Sequence, residues 1–264
     1  MKIGFIGCGN MAQAMIGGII KAGLVDSNEV IASDAYQPSL DGASEKYKIK
    51  VTKDNKEVAS QAEMVVLAIK PQFYETIIKE ISPVVKENTI IITIAPGQSL
   101  EKIEKQFGKE IKVVRTMPNT PAMVGEGMTA LCANSFLNEE EKTKVKEMIG
   151  GFGKAEYVAE YMMDSVVAVS GSAPAYVFMF IEALADGAVL LGMGRKEAYT
   201  FAAQTVMGSA KMVLETGKHP AELKDMVCSP GGTTIEAVKT LEEEGFRSAV
   251  IKAMVACANK SRKM

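Results

Sequence analysis

Two hydrophobic rhythms divide this chain. Up to about residue 158, short apolar and β-branched runs recur: Lys2-Ile-Gly-Phe-Ile6, Val30-Ile-Ala-Ser-Asp34, a brief Ile49-Lys-Val51, Glu63-Met-Val-Val-Leu-Ala-Ile69, Thr89-Ile-Ile-Ile-Thr-Ile94 and Ile111-Lys-Val-Val-Arg115. Helical stretches lie between the longer ones. Near-continuous apolar strands separated by helices predict a mostly parallel sheet covered on both faces. Met128–Ala133 and Ala155–Val158 are expected to extend it at one edge. From Tyr161 onward strand patterns vanish, and Ala-, Met-, Leu- and Gly-rich text predicts helices around 161–191, 196–216 and 233–260. Apolar residues occupy more than one face in Ala173–Leu191 and Thr200–Leu214, which suits deep burial or packing against another subunit. No linker, repeat or low-complexity tract intervenes, so the two halves abut near residue 160.

The first strand runs into Gly7-x-Gly9-x-x-Ala12 and then a helical run with apolar Met15, Ile16, Ile19 and Ile20. In that order Gly7 permits a tight turn, Gly9 lets backbone approach a pyrophosphate, and Ala12 allows close helix–strand packing. Asp34 ends the second strand about twenty residues further on, where an acid binds an adenosine ribose. The pattern therefore predicts an α/β, Rossmann-type dinucleotide-binding domain over residues 1–160 and an all-α domain over 161–264. Ligands of such sheets bind beyond the carboxyl ends of the strands. The loops there are Ala68-Ile-Lys-Pro-Gln72, Ala95-Pro-Gly-Gln98 and Met117-Pro-Asn-Thr-Pro121. Lys70 can reach a ribose or phosphate and Asn119 offers an amide. Taken singly, each loop also reads as an ordinary turn, and Met117, Met123 and Met128 as core filler.

Composition narrows the classes. At 264 residues, 47% apolar and a net charge of −2, the chain reads as a soluble globular protein with no basic excess for nucleic acid. Its longest apolar runs are broken by Gly, Pro or charge, so no membrane span is expected. Met1 leads straight into a core strand, so no signal peptide is expected either. Cys8, Cys132, Cys228 and Cys257 form no C-x-x-C pair, which fits reduced thiols in the cytoplasm and no zinc site. His219 is the only histidine. It precedes Pro220, a favoured first helical residue, and reads as the start of a helix rather than a catalyst.

Asp225-Met-Val-Cys-Ser-Pro-Gly-Gly-Thr-Thr-Ile235 carries the densest chemistry. Two adjacent glycines and two hydroxyls precede a helical pattern at Ile235, Val238 and Leu241. Backbone N–H groups at a helix N-terminus suit a small anion such as a carboxylate. A plain turn with a Thr cap fits the same spacing.

Taken together, Phe5-Ile-Gly-Cys-Gly-Asn-Met-Ala12, Ala68-Ile-Lys-Pro71, Arg115-Thr-Met-Pro-Asn-Thr-Pro121, Ser170-Gly-Ser-Ala-Pro-Ala-Tyr176, Leu223–Ile235 and Gly245-Phe-Arg-Ser248 resemble pyrroline-5-carboxylate reductase. The resemblance runs over essentially the whole chain. It implies NAD(P)H-dependent reduction of 1-pyrroline-5-carboxylate to L-proline, the last step of proline biosynthesis, by hydride transfer to the ring C=N carbon. It also implies a helical domain that forms an intertwined homodimer, with decamers of five dimers in some members.

By the same resemblance Ser229, Gly231, Gly232, Thr233 and Thr234 hold the substrate carboxylate, and Thr234 sets its hydroxyl against the ring nitrogen as the catalytic residue. Glu160 lies near that nitrogen and stabilises its cation. The cofactor contacts implied are Ile6, Gly7, Cys8, Gly9, Asn10, Met11 and Ala12, then Ser33, Asp34 and Asn55, then Ala68, Ile69, Lys70 and Pro71, then Ala95, Pro96 and Gly97. One departure bears on the cofactor. Many NADPH users follow the second strand with Ser or Asn and a nearby Arg, whereas this chain reads Ser33-Asp34-Ala35-Tyr36. A carboxylate there favours free ribose hydroxyls and repels a 2′-phosphate, so NADH is expected to serve at least as well as NADPH.

Two rivals stand beside this reading. One is a reductase of the same plan acting on a 3-hydroxy acid or a different cyclic imine; the hydroxy-acid enzymes present a catalytic Lys early in the helical domain, and none lies between Ala155 and Arg195. A nucleotide sensor would bind without turnover and has no use for Ser229–Thr234.

Overall fold

The computed structural model describes residues 1–263. Its strands are β1 (Ile3–Ile6), β2 (Val30–Ser33), β3 (Lys50–Thr52), β4 (Met64–Leu67), β5 (Ile90–Thr93), β6 (Lys112–Met117), β7 (Gly127–Ala133) and β8 (Gly153–Tyr157). They form one sheet in the order β3-β2-β1-β4-β5-β6-β7-β8. Strands β1, β2, β4 and β5 are buried at every position, as apolar runs covered on both faces must be. Alternate residues feed opposite layers. Phe5, Val66 and Ile92 join Met15, Ile16 and Phe152 on one side, whereas Ile6, Val65 and Ile91 join Tyr74, Ile78 and Ile103 on the other.

The covering helices are α1 (Asn10–Lys21), α2 (Gln37–Tyr47), α3 (Asn55–Gln61), α4 (Tyr74–Ile81), α5 (Leu100–Phe107) and α6 (Glu139–Gly150). The first six strands are mutually parallel. β7 then pairs antiparallel with β6, and β8 runs parallel with β7. Between β6 and β7 lies only a 3-10 turn, Thr120–Val124, too short for the crossover that a parallel partner needs. Of the three methionines expected to fill core, Met117 is buried, Met128 half-buried, and Met123 exposed on that turn.

The chain forms two compact units, residues 1–172 with those from Cys257 onward, and residues 173–256. The change of rhythm near residue 160 falls inside the first. There, after a 3-10 turn Glu160–Met162, come α7 (Met163–Val166) and a π-helical turn, Val167–Gly171. Asp164 accepts from Ser261 at 2.7 Å, and Ser172 from the Cys257 thiol at 3.2 Å. The remaining helices are α8 (Ala173–Leu190), α9 (Arg195–Thr216), α10 (Pro220–Val227), α11 (Thr233–Glu243) and α12 (Phe246–Ser261). The single helix expected over 233–260 is two, because Gly245 turns left-handed at φ 73° and ends the run. Within the second unit α8 and α9 pack through Ala185, Ala198 and Ala202.

Candidate functional site

The strand order reverses between β1 and β4, the point where doubly wound sheets bind ligands. Gly7 sits there with φ +94°, and a Cβ on it would lie 2.4 Å from the Ala68 carbonyl oxygen. Only glycine fits. Gly7 N–H donates to Ser33 O and Ala68 N–H to Ile6 O, both at 2.8 Å, so the loops after β1, β2 and β4 are stitched together. Gly9 differs. Its φ of −76° suits any residue, and a Cβ there meets nothing within 4 Å. The fold makes no demand for glycine at that exposed position. A close-lying ligand would, and α1 starts beside it with no side chain capping its N–H groups, an end that favours a phosphate. The residues therefore fit the pyrophosphate of a dinucleotide.

Asp34 is built into the same loop. Its Oδ2 accepts from Cys8 N–H at 2.7 Å and its Oδ1 from Tyr36 N–H at 2.8 Å, and each oxygen keeps a further lone pair for a hydroxyl. Ser33 is buried, with its hydroxyl donated to Asn55 Oδ1 at 2.7 Å, and Asn55 Nδ2 donates to Glu80 at 3.1 Å. Burial pushes the Cys8 thiol up to about 11, helped by the Asp34 charge. Cys8 is therefore a packed, protonated side chain whose backbone carries the contact. Met11 is half-buried, Asn10 and Lys70 are exposed, and Ile69 and Pro71 are half-buried at the mouth of β4. After β5, Ala95 is buried, and Gly97 turns with φ +70°.

Glu160 has a partner that the sequence reading did not supply. Arg115, buried on β6, donates from Nη1 to Glu160 Oε1 at 3.0 Å. Leu100 N–H, opening α5, donates to the same oxygen at 2.9 Å. Cys132 lies opposite Arg115 in register, and burial, followed by the Glu160 charge, raises its thiol. Asn119 is buried too, its amide donating to Ser170 O at 3.0 Å and accepting from Met128 N–H at 2.9 Å. It braces backbone rather than facing out. A charged residue closing an apolar strand was the available signal for Arg115.

In the helical unit, Gly232 N–H donates to Ser229 O at 3.1 Å, with Pro230 and then Gly231 at φ +65° between them. That residue order and the positive φ are those of a type II turn. The alternative of a Thr cap does not form: Gly232 is the N-cap of α11 and no side chain caps it. The N–H groups of Thr233 and Thr234 are left open at the helix end, whereas that of Gly232 is occupied. A Cβ on Gly232 would lie 2.4 Å from Ser229 Oγ. His219 is the N-cap of α10, its Nδ1 accepting from Ala221 N–H at 3.2 Å.

Comparison with known proteins decides what these loops belong to. Residues 160–264 match the family model for pyrroline-5-carboxylate reductase dimerisation, and residues 2–97 match that for NADP oxidoreductase, coenzyme F420-dependent. The pyrroline-5-carboxylate reductase of Escherichia coli (strain K12) is 50% identical over 100% of this chain and 98% of its own. That of Methanosarcina acetivorans is 42% identical over 100% and 97%. The chain belongs to the pyrroline-5-carboxylate reductase family. The solved reductase of Coxiella burnetii is 37% identical, with a TM-score of 0.93 over 99% of this chain and 97% of that one. The Plasmodium falciparum pyrroline carboxylate reductase with NADP bound is 32% identical, with a TM-score of 0.90 over 100% and 97%.

This reductase is thus an oxidoreductase that uses a nicotinamide cofactor to reduce 1-pyrroline-5-carboxylate to L-proline in proline biosynthesis. Its dimerisation domain also bears on the apolar helical span expected around 161–191. Glu160–Leu190 is a continuous helical stretch of 31 residues, apolar and long enough by composition to cross a membrane, with only 6% of its most apolar window buried. The same residues lie within the dimerisation match. A partner subunit is the cover such faces require.

Proposed function

We propose that the turn Ser229–Gly232 and the first turn of α11 bind the substrate carboxylate. The open N–H groups of Thr233 and Thr234 are the donors, and Gly231 and Gly232 give the anion room to approach. The observation that carries this reading is the glycine N-cap of α11, which leaves a helix N-terminus uncapped where positive charge gathers. Thr234 is the catalytic residue, its hydroxyl set against the ring nitrogen to orient the imine. Glu160, held among the described residues by donors to Oε1, has Oε2 for the ring cation. Ser229 completes the turn.

On the cofactor side, Ile6 to Ala12 cradle the pyrophosphate, Ser33, Asp34 and Asn55 meet the adenosine ribose, and Ala68 to Pro71 with Ala95 to Gly97 line the rest. A reduced nicotinamide bound there supplies hydride to the imine carbon. Asp34 makes NADH at least as good a donor as NADPH: its carboxylate repels a phosphate dianion, and no Arg or Lys occurs between Ser33 and Glu45. We assign residues 1–160 to cofactor binding and 161–264 to substrate binding and dimerisation. The working unit is a homodimer in the cytoplasm, where its free thiols stay reduced. A decamer of five dimers is a further assembly that a mass measurement separates from it.

Turnover of NADH and NADPH with 1-pyrroline-5-carboxylate, in wild-type and Thr234→Ala enzyme, tests the assignment. Faster turnover with NADH, and loss of about tenfold or more without the hydroxyl, is the expected result. A Thr234→Ala enzyme with unchanged kcat and KM removes Thr234 from the site.

A further inference from the structure

We propose that Arg115 is a positioning residue that, through Glu160, fixes the turn Ala95–Ser99; the proposal rests on Ala95, Pro96 and Gly97 touching the cofactor. Arg115 projects from β6 at the register position between Thr93 of β5 and Cys132 of β7 and is only 9% exposed. A guanidinium keeps its charge when buried, so its desolvation has to be offset by a carboxylate. Glu160 supplies it at 3.0 Å.

The same carboxylate oxygen accepts the N–H of Leu100 at 2.9 Å. Leu100 is the first residue of α5, and the hydroxyl of its N-cap Ser99 accepts from Lys102 N–H at 3.2 Å. The start of α5 is therefore fixed twice, once by its own cap and once by a carboxylate sixty residues away in sequence. The positive end of a helix favours that carboxylate. Between β5 and Leu100 the turn is packed through Ala95 and Gln98, both buried, but Gly97 between them takes φ +70°, and its carbonyl meets Lys102 Nζ only at 3.4 Å. Without Arg115 the Glu160 side chain, already 34% exposed, is free to turn to water. Leu100 N–H then loses its acceptor, and the turn loses one of the two contacts that fix its α5 end.

The test is the NADH dissociation constant of the full-length enzyme, measured by calorimetry alongside thermal unfolding, for Arg115→Met, Arg115→Lys, Glu160→Gln and the double variant Arg115→Met/Glu160→Gln. Expected are about tenfold weaker NADH binding in Arg115→Met and Glu160→Gln, no further loss in the double variant because both act through one contact, and recovery of most of the affinity in Arg115→Lys. NADH affinity equal to wild type in the single variants overturns the proposal, whatever their melting temperatures. If Arg115→Met does not fold, wild-type affinity in Glu160→Gln overturns it alone. Unchanged affinity in Arg115→Met with weakened affinity in Gly97→Ala places the failure in the positioning step, whereas unchanged affinity in both refutes the loop as a cofactor contact. Weakened NADH binding in Glu160→Gln with an unchanged KM for 1-pyrroline-5-carboxylate supports positioning and removes Glu160 from the ring.

Discussion

Gly7 and Gly9 stand two residues apart, and their reasons for being glycine are opposite. Alanine at Gly7 would combine a left-handed φ with a Cβ 2.4 Å from a backbone oxygen. We expect Gly7→Ala to lower stability by more than about 3 kcal/mol, read from denaturant unfolding. Gly9→Ala meets no protein atom within 4 Å, so it should leave the melting temperature unchanged while weakening NADH binding at least about tenfold. Equal NADH affinity in wild type and Gly9→Ala would remove the pyrophosphate from that position. Asp34 is the residue we propose to discriminate between the two nicotinamides, by charge. Asp34→Ser should raise the NADPH/NADH ratio of kcat/KM by about tenfold; an unchanged ratio sinks the electrostatic argument. The substitution also releases Cys8 N–H, so some loss with both cofactors is expected. The tight turn at Gly7 was legible because its backbone conformation is a local requirement, and Asp34 stood out as the acid that closes the second apolar run. Arg115 was not, since its partner lies in a segment that only folding brings near.

Among the elements, α11 shows what a turn contributes to the substrate site we propose. Its start is shaped by Ser229-Pro-Gly-Gly232, in which Gly231 holds φ +65°. A left-handed alanine costs about 1–2 kcal/mol. Gly231→Ala should therefore lose about that much stability and raise KM for 1-pyrroline-5-carboxylate more than KM for NADH, as steady-state kinetics would read. Equal effects on both constants would point to general destabilisation instead. The end of this helix escaped the sequence pattern because apolar spacing continues through Gly245, and only its left-handed backbone divides α11 from α12. The reversal of β7 was hidden for a similar reason. Periodicity marks a strand but not its direction, and here the length of the turn before it settles that.

Across the whole molecule, two behaviours follow from what is buried and what is not. Burial raises the thiol of Cys8 from 9.0 to about 11 and, with the Glu139 charge, the phenol of Tyr157 from 10.0 to about 12; burial also raises that of Tyr74. These groups bind their protons more tightly folded than unfolded, so their stabilising contribution is complete below about pH 9 and is lost as pH rises from 9 toward 12. Melting temperature should fall progressively across that window, and a flat profile would show that these groups ionise without unfolding cost. The second behaviour concerns α8 and α9. Leu190 and Leu191 are 88% and 89% exposed in the single chain, with Phe178, Met179, Phe201, Met207 and Leu214 exposed as well. Light scattering should give a mass of at least two chains, and Leu191→Glu with Leu190→Glu should shift it toward one. By itself the sequence determined the alternation of strands and helices, the glycine turn after the first strand and the glycine turn before α11, because each depends on conformational limits and periodicities within a few neighbouring residues. Tertiary structure alone decided the reversal of β7 and the Arg115–Glu160–Leu100 contact, because these depend on which distant backbone and side-chain groups must satisfy one another once water is excluded.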